Sequence, residues 1–340
     1  MEAVRKQQKR KVQKDMAHNI QTRDVQVGLQ QAWHGKTKVV EKVDADSVGI
    51  LYGMAIAETY YKDTDGKEQK SNGRQIFATD DGLPVGRAVG DDYTLISNKD
   101  MWEALHEGLV DVKHEIVSAG TVNNRSLGFA SVKFQDGFVA ANRETDSVLN
   151  FLWGHGGNRS VIAKTGFTVV VCENTFNMAL GENGDFSVST RHTRNCSLDK
   201  MKKSIELHFE TTEAFKAEMQ RMESREVKQP MARAIYAGFM NRDGKSLDTK
   251  NSLTRLSNTV DALEALFVNG KGNRGSTMAD VFNGYTDLLT HGNGKNPWKS
   301  YVSSEFGRNG DLKGEFFNVL TDEKRLADTI ARGEKTLLEV

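Results

Sequence analysis

Two periodicities divide the chain. Alternation with a period of two dominates the middle, and apolar positions three and four apart dominate the stretch from residue 196 on. Before the middle, residues 20–70 predict little beyond one strand, Gly49–Ala57, and a polar turn, KDTDGKEQKSNG. Leu83–Gly90 and Asp91–Ser97 read as a turn and a short strand. Asn98 then serves as an N-cap for a helix through Leu109, whose Met101, Trp102, Leu105 and Leu109 share one face.

The middle predicts an antiparallel meander over residues 120–180. Ser126–Phe134 alternates, Asp136-Gly137 follows as a hairpin turn, and FVAAN comes next. Ser147–Gly154 is a further strand. His155-Gly156-Gly157-Asn158 turns into the long run Ser160–Cys172, with Gly166 as a bulge or bend. Glu173-Asn174-Thr175 opens a short helix, FNMAL.

The remainder predicts helices. Leu198 to Val227 carries a narrow stripe of Met201, Ile205, Phe209, Thr212, Phe215, Met219 and Met222, and Pro230 breaks it. Further helices span Leu253–Asn269, Thr277–His291 and Asp322–Leu338, with Gly270 and Gly292 placed to end two of them. The stripe suits an oligomer seam or packing inside the monomer. The expected fold class is α+β: an antiparallel β-meander with helix, followed by a mostly helical C-terminal half. The expected division is a basic tail at 1–19, an α+β core at 20–195 and a helical region at 196–340.

Composition narrows the function. The 340 residues are 38% apolar with 16 Phe and 4 Trp, enough for a sizeable core. Lys+Arg and Asp+Glu are 46 each, which excludes a uniformly basic or acidic protein. The balance hides an asymmetry. Residues 1–14 hold Arg5, Lys6, Lys9, Arg10, Lys11 and Lys14 against Glu2, so the rest of the chain is net acidic. A basic arm on such a body is a common way to reach phosphate backbones. The plain alternative is a solvated terminus, or a start site set upstream of Met16. No run is long and apolar enough for a transmembrane helix, and the first residues lack a signal-peptide core, so no membrane association is expected. Cys172 and Cys196 are the only cysteines and form no CxxC, which fits a cytoplasmic protein.

Four constellations could carry chemistry. GKGNRG at Gly270–Gly275 has the letters of a dinucleotide fingerprint but follows a helix, so no βαβ unit surrounds it. Lys271 and Arg274, beside the helix that starts near Thr277, could instead hold a phosphate, or the segment is a plain interhelical link. Arg191, Arg194, Lys200, Lys202 and Lys203 cluster at the start of the long helix and suit an anionic partner, or a solvated helix face. Cys172, His155 and His192 hold the ingredients of a nucleophilic centre, although Cys172 ends an apolar strand where cysteine is usually a small core residue. No metal-ligand spacing occurs, and no metal or cofactor is expected. Last, aromatic rings stand near cations: Trp153 with Arg159 and Lys164, and Phe129, Phe134 and Phe138 with Arg125, Lys133 and Arg143. Such rings suit stacking of single-stranded bases, or form the core face of the sheet.

Several segments resemble a known family: AWHG (Ala32–Gly35), VGDDYTLISN (Val89–Asn98), SAGTVNNRSLGFASV, NFLWGHGGNRSVIAKTGFTVVVCENTFNMAL, RHT (Arg191–Thr193), GSTMADVFNGYTDLLTH (Gly275–His291) and Phe306-Gly307. Together they are similar to the phage/plasmid-like protein family, a domain family of unknown function found in phages, prophages and plasmids. The CENT segment and downstream RHT carry most of the likeness; Lys36-Thr37 departs from the family's WHGxG opening. A mobile-element setting implies a role in DNA replication, recombination or defence. A meander followed by a helix also resembles, by architecture alone, the core of single-strand annealing proteins of the Red-beta type. The resulting expectation is a non-catalytic, oligomeric protein that binds DNA, single-stranded DNA favoured, and promotes annealing. Its alternatives are a cysteine/histidine-centred enzyme and a self-assembling structural or host-interaction protein.

Overall fold

The structure, a computed structural model, describes residues 23–30, 37–44, 53–134, 137–157, 160–169, 174–177, 187–192, 198–243, 250–291 and 308–339. The chain is α+β, with strands in its first half and most helices in its second. It forms two compact units, neither continuous in sequence: residues 1–135, 148–164 and 187–208 make unit 1, and 136–147, 165–186 and 209–340 make unit 2. A single cut at residue 195 does not describe them, because two strands and one helix run through both units.

Unit 1 holds two sheets. In the larger one, β6 (His114–Val122) pairs antiparallel with β7 (Leu127–Phe134), and β7 pairs with the second part of β9 (Arg143–Gly154). β1 (Gln26–Gly28) adds to β6 antiparallel, and β2 (Lys38–Val39) adds to β1 parallel. The first residues of β10 (Val161–Val169) pair with β12 (Ser187–Thr190). α1 (Asn98–Leu109) buries Met101, Trp102, Leu105 and Leu109 as its periodicity predicts, in one core with Phe151, Trp153, Val161 and Ile205. Its N-cap is Ser97, not Asn98. The Ser97 hydroxyl accepts the Asp100 amide, and the Asp100 carboxylate accepts the Ser97 amide. Asn98 is thereby moved inside the helix, where its side chain is buried.

The smaller sheet is β3 (Met54–Lys62), β4 (Glu68–Ala78) and β5 (Pro84–Val89), antiparallel and in that order. Much of the expected polar turn is strand here: only the residues around Asp63–Lys67 turn, held by the Asp63 carboxylate on the amides of Asp65 and Lys67. Ile76, Ala78, Val85 and Val89 form its core.

Unit 2 starts with a hairpin of β8 (Phe138–Ala140) and the first residues of β9. Its turn is Ala141-Asn142, both at positive φ, as a two-residue type I′ connection requires. β7 pairs with β6 and β9, and β8 with β9; of the turn expected at Asp136-Gly137, Asp136 lies outside the described residues. The second half of β10 pairs with β11 (Asn174–Asn177), which lies where the short FNMAL helix was expected to begin. A few residues of helical propensity nucleate poorly, whereas an edge beside Gly166–Val169 supplies backbone partners at once.

Helices complete unit 2: the latter part of α2 (Asp199–Ser224), then α3 (Gln229–Met240), α4 (Lys250–Asn269), α5 (Met278–His291), α6 (Arg308–Thr321) and α7 (Glu323–Leu337). The long helix already ends at Ser224, short of the expected Val227, and Pro230 does not break it but lies in the first turn of α3, where a missing N–H costs nothing. The stripe on α2 is consumed by packing. Phe215, Met219 and Met222 lie in the unit 2 core and Ile205 in the unit 1 core, and only Phe209 of the described stripe residues is exposed. It is not an open oligomer seam. Phe167 and Phe215 stack with centroids 4.0 Å apart at the centre of the unit 2 core.

Candidate nucleic-acid interface

The turn after β9 fixes one polar cluster in unit 1. Trp153 is wholly buried, and its indole N–H donates to Asn98 Oδ1 at 2.7 Å. That bond identifies the Asn98 atom as the oxygen, so the His155 Nε2 that lies 2.8 Å from it must carry a proton. Burial, helped by the neighbouring His192 and opposed by the Ile96 backbone, holds the His155 imidazole down to about 3. His192 Nδ1 donates to the Thr94 carbonyl at 3.1 Å, while the Thr94 amide donates to the His192 carbonyl. Tyr93 stacks on His192 at 4.9 Å and sends its hydroxyl to Gly154 O. Both imidazoles are neutral and stitched to oxygens of the core. Gly86 and Gly156 explain the WGHGG spelling: a Cβ on Gly156 would fall 2.8 Å from the Gly86 Cα, so the two backbones meet without side chains.

This geometry corrects two expected contacts. A wholly buried Trp153 has no face on which a base can stack, and Phe129, Phe134 and Phe138 are buried as well. Gly128 lies opposite Trp153 in the sheet, and a Cβ there would sit 2.3 Å from the indole. The ring is thus sealed by its neighbours. Arg143, in unit 2, is 5% exposed and forms ion pairs with Asp280 and Glu223, and Arg125 is bound to Asp80. These guanidinium charges are spent internally.

The GKGNRG loop is also structural. Gly270 donates to Leu266 O, Asn273 donates to Leu266 O and Asn283 to Asn273, which locks the link between α4 and α5. The Asp280 carboxylate accepts the amides of Ser276 and Thr277, and Thr277 Oγ1 accepts the Asp280 amide. The helix start is filled by its own carboxylate, so the expected phosphate seat with Lys271 and Arg274 is occupied. Arg274 pairs with Glu223 at 3.4 Å, and Lys271 is exposed.

Three expected cations of unit 1 stand differently. Arg191 is exposed between Thr190, paired to Val161, and the anchored His192. Lys203 is exposed early in α2, and Lys164 is half-buried on β10, opposite Ser187. None of the three has an ion-pair partner among the described residues. Arg5, Lys6, Lys9, Arg10, Lys11, Arg159, Arg194 and Cys172 lie outside the described residues, as do the side chains of Lys200 and Lys202. Among the described residues no group of three His, Cys, Asp or Glu could hold a metal, and no helix is long and apolar enough to cross a membrane.

Sequence reasoning passed over Tyr60 and Tyr61 on β3, exposed at 58% and 57%. A signal was present: a Tyr pair beside lysines next to an Asp-Gly turn, inside a segment read as mostly polar loop.

Fold and site together define an α+β protein with a sealed polar cluster and separate unpaired cations in unit 1. Over residues 87–314 the chain matches the family model described as Domain of unknown function (DUF932), and it belongs to that family. No curated protein and no solved structure matched.

Proposed function

We propose that this chain binds single-stranded DNA through its phosphates and promotes annealing during recombination or replication, without covalent chemistry. The carrying observation is the set of Lys164, Arg191 and Lys203 in unit 1, cations with no carboxylate spent on them, against Arg125 and Arg143, which are neutralised inside. Unpaired cations gain from a polyanion what paired ones have already gained within the protein. The antiparallel meander followed by a long helix gives secondary support, by its likeness to annealing proteins. Such proteins work as assemblies, so several copies along one strand belong to the proposal, as does a mobile-element origin.

The test is charge reversal. Lys164→Glu, Arg191→Glu and Lys203→Glu together should weaken binding of a labelled single strand in fluorescence anisotropy. The slope of log K against log salt should flatten by about 0.7 per cation removed. Unchanged affinity and slope would overturn this assignment of the site.

A further inference from the structure

We propose that the free end of the β3–β4 ribbon is a stacking arm, with bases of a single-stranded nucleic acid resting on the rings of Tyr60 and Tyr61. The inference rests on the single-strand reading above and supplies its missing stacking surface.

The ribbon outruns its sheet. β3 and β4 pair from Met54↔Ala78 to Lys62↔Glu68, but β5 pairs with β4 only between Arg74 and Phe77. The apolar core of the sheet sits at that base, around Ile76, Ala78, Val85 and Val89. Beyond Arg74 the ribbon is two-stranded, and no third strand among the described residues pairs with it. An extension of this kind is marginal by itself, and two large aromatic side chains there contribute little to folding. Because adjacent strand residues face opposite ways, Tyr60 and Tyr61 give each face of the arm one ring.

The neighbouring charges neither attract nor repel a polyanion strongly: Glu58, Asp63, Asp65 and Glu68 stand against Lys62, Lys67, Lys70 and Arg74. Glu58 is engaged by Lys70 at 2.6 Å and by the Tyr60 hydroxyl at 2.9 Å, which also fixes the Tyr60 ring along the strand. Asp63 is bound by Gln69 and by two amides of the turn. Lys62 and Lys67 flank the rings without an ion-pair partner among the described residues, although Glu68 lies across from Lys62. The arm is close to charge balance, so its contribution comes from the rings and depends little on salt.

Affinity for fluorescein-labelled oligo-dT across a salt series separates the possibilities, with the wild-type chain, Tyr60→Ala/Tyr61→Ala and Tyr60→Phe/Tyr61→Phe. The alanine pair should bind roughly ten-fold to a hundred-fold more weakly with an unchanged salt slope, and the phenylalanine pair should bind within about three-fold of wild type. An alanine pair that binds as tightly as wild type overturns the arm and leaves the single-strand reading standing. A phenylalanine pair as weak as the alanine pair also overturns it, since stacking needs only the ring. If the wild-type chain binds no strand at low salt, the single-strand reading itself fails, and the arm with it.

Discussion

The two sheets of unit 1 treat aromatic residues in opposite ways. In the larger sheet Trp153 is covered by α1 and by the strands around it, and its polar atom is satisfied by Asn98. On the β3–β4 ribbon, Tyr60 and Tyr61 lie beyond the last layer that could cover them. In sequence both are rings beside cations, Trp153 on an alternating strand and Tyr60 and Tyr61 between a predicted strand and a polar turn. What separates them is whether a second layer packs on the strand. Charge follows the same division: Arg125 and Arg143 are neutralised where they are covered, whereas Arg191 and Lys203 are left to solvent.

The strongest way to break this contrast is to remove what the covered sites depend on. Trp153→Ala should cost about 3–5 kcal/mol in urea unfolding, from the cavity and the loss of one of the two hydrogen bonds to the Asn98 oxygen. Asp280→Ala should cost a similar amount, about 3–5 kcal/mol, because it leaves the buried Arg143 charge with only the looser Glu223 pair and takes the carboxylate from the start of α5. A loss under about 1 kcal/mol at either site would mean that it is open to water.

Gly128→Ala presses a methyl group into the Trp153 ring and should cost about 1–3 kcal/mol by the same assay, with no direct effect on the ribbon.

Acid sharpens the comparison further, because unit 1 buries His155, His192 and His208. Burial lowers all three, His155 and His208 to about 3. Between about 6.5 and 3 the unfolded chain takes up protons that the folded His155 and His208 refuse, and His192 acts in the same direction. The stability they give is therefore full above pH 6.5 and is lost as pH falls toward 3. Each such imidazole contributes up to about 1.4 kcal/mol per pH unit within its window. His155→Gln should flatten the fall of the urea midpoint between pH 6.5 and 4; a profile parallel to wild type would contradict a neutral, buried His155.

The smallest effect is expected on the arm. Tyr60→Ala/Tyr61→Ala should change stability by less than about 0.5 kcal/mol, since exposed rings have little packing to lose. A loss of several kcal/mol would show that the rings are core after all.

Much of this was legible in the sequence. The α1 face, the alternation of β7 and β9 and the extents of α4, α5 and α7 follow from periodicity, because each buries one face. Several elements were not, β4, α3 and β11 among them. β4 alternates between polar and small residues at its free end, a pattern of solvated strands and loops alike. α3 begins at a proline that reads equally as a stop. β11 is a strand only through its partner β10, and pairing across the chain leaves no local trace. Of the site, the cations were legible as residue types. Their status was not, since whether an arginine is spent depends on carboxylates such as Glu223 and Asp280, 80 or 137 positions away from Arg143. Trp153 misled for the same reason: burial is decided by α1, more than 40 positions earlier.

The most direct test of the central claim is to titrate the full chain against a labelled oligonucleotide and its duplex, by anisotropy, across a salt series. The single strand should saturate more tightly than the duplex, with log K falling linearly against log salt by several units of slope. Absence of binding to both forms at the lowest salt, or a slope near zero, would contradict it.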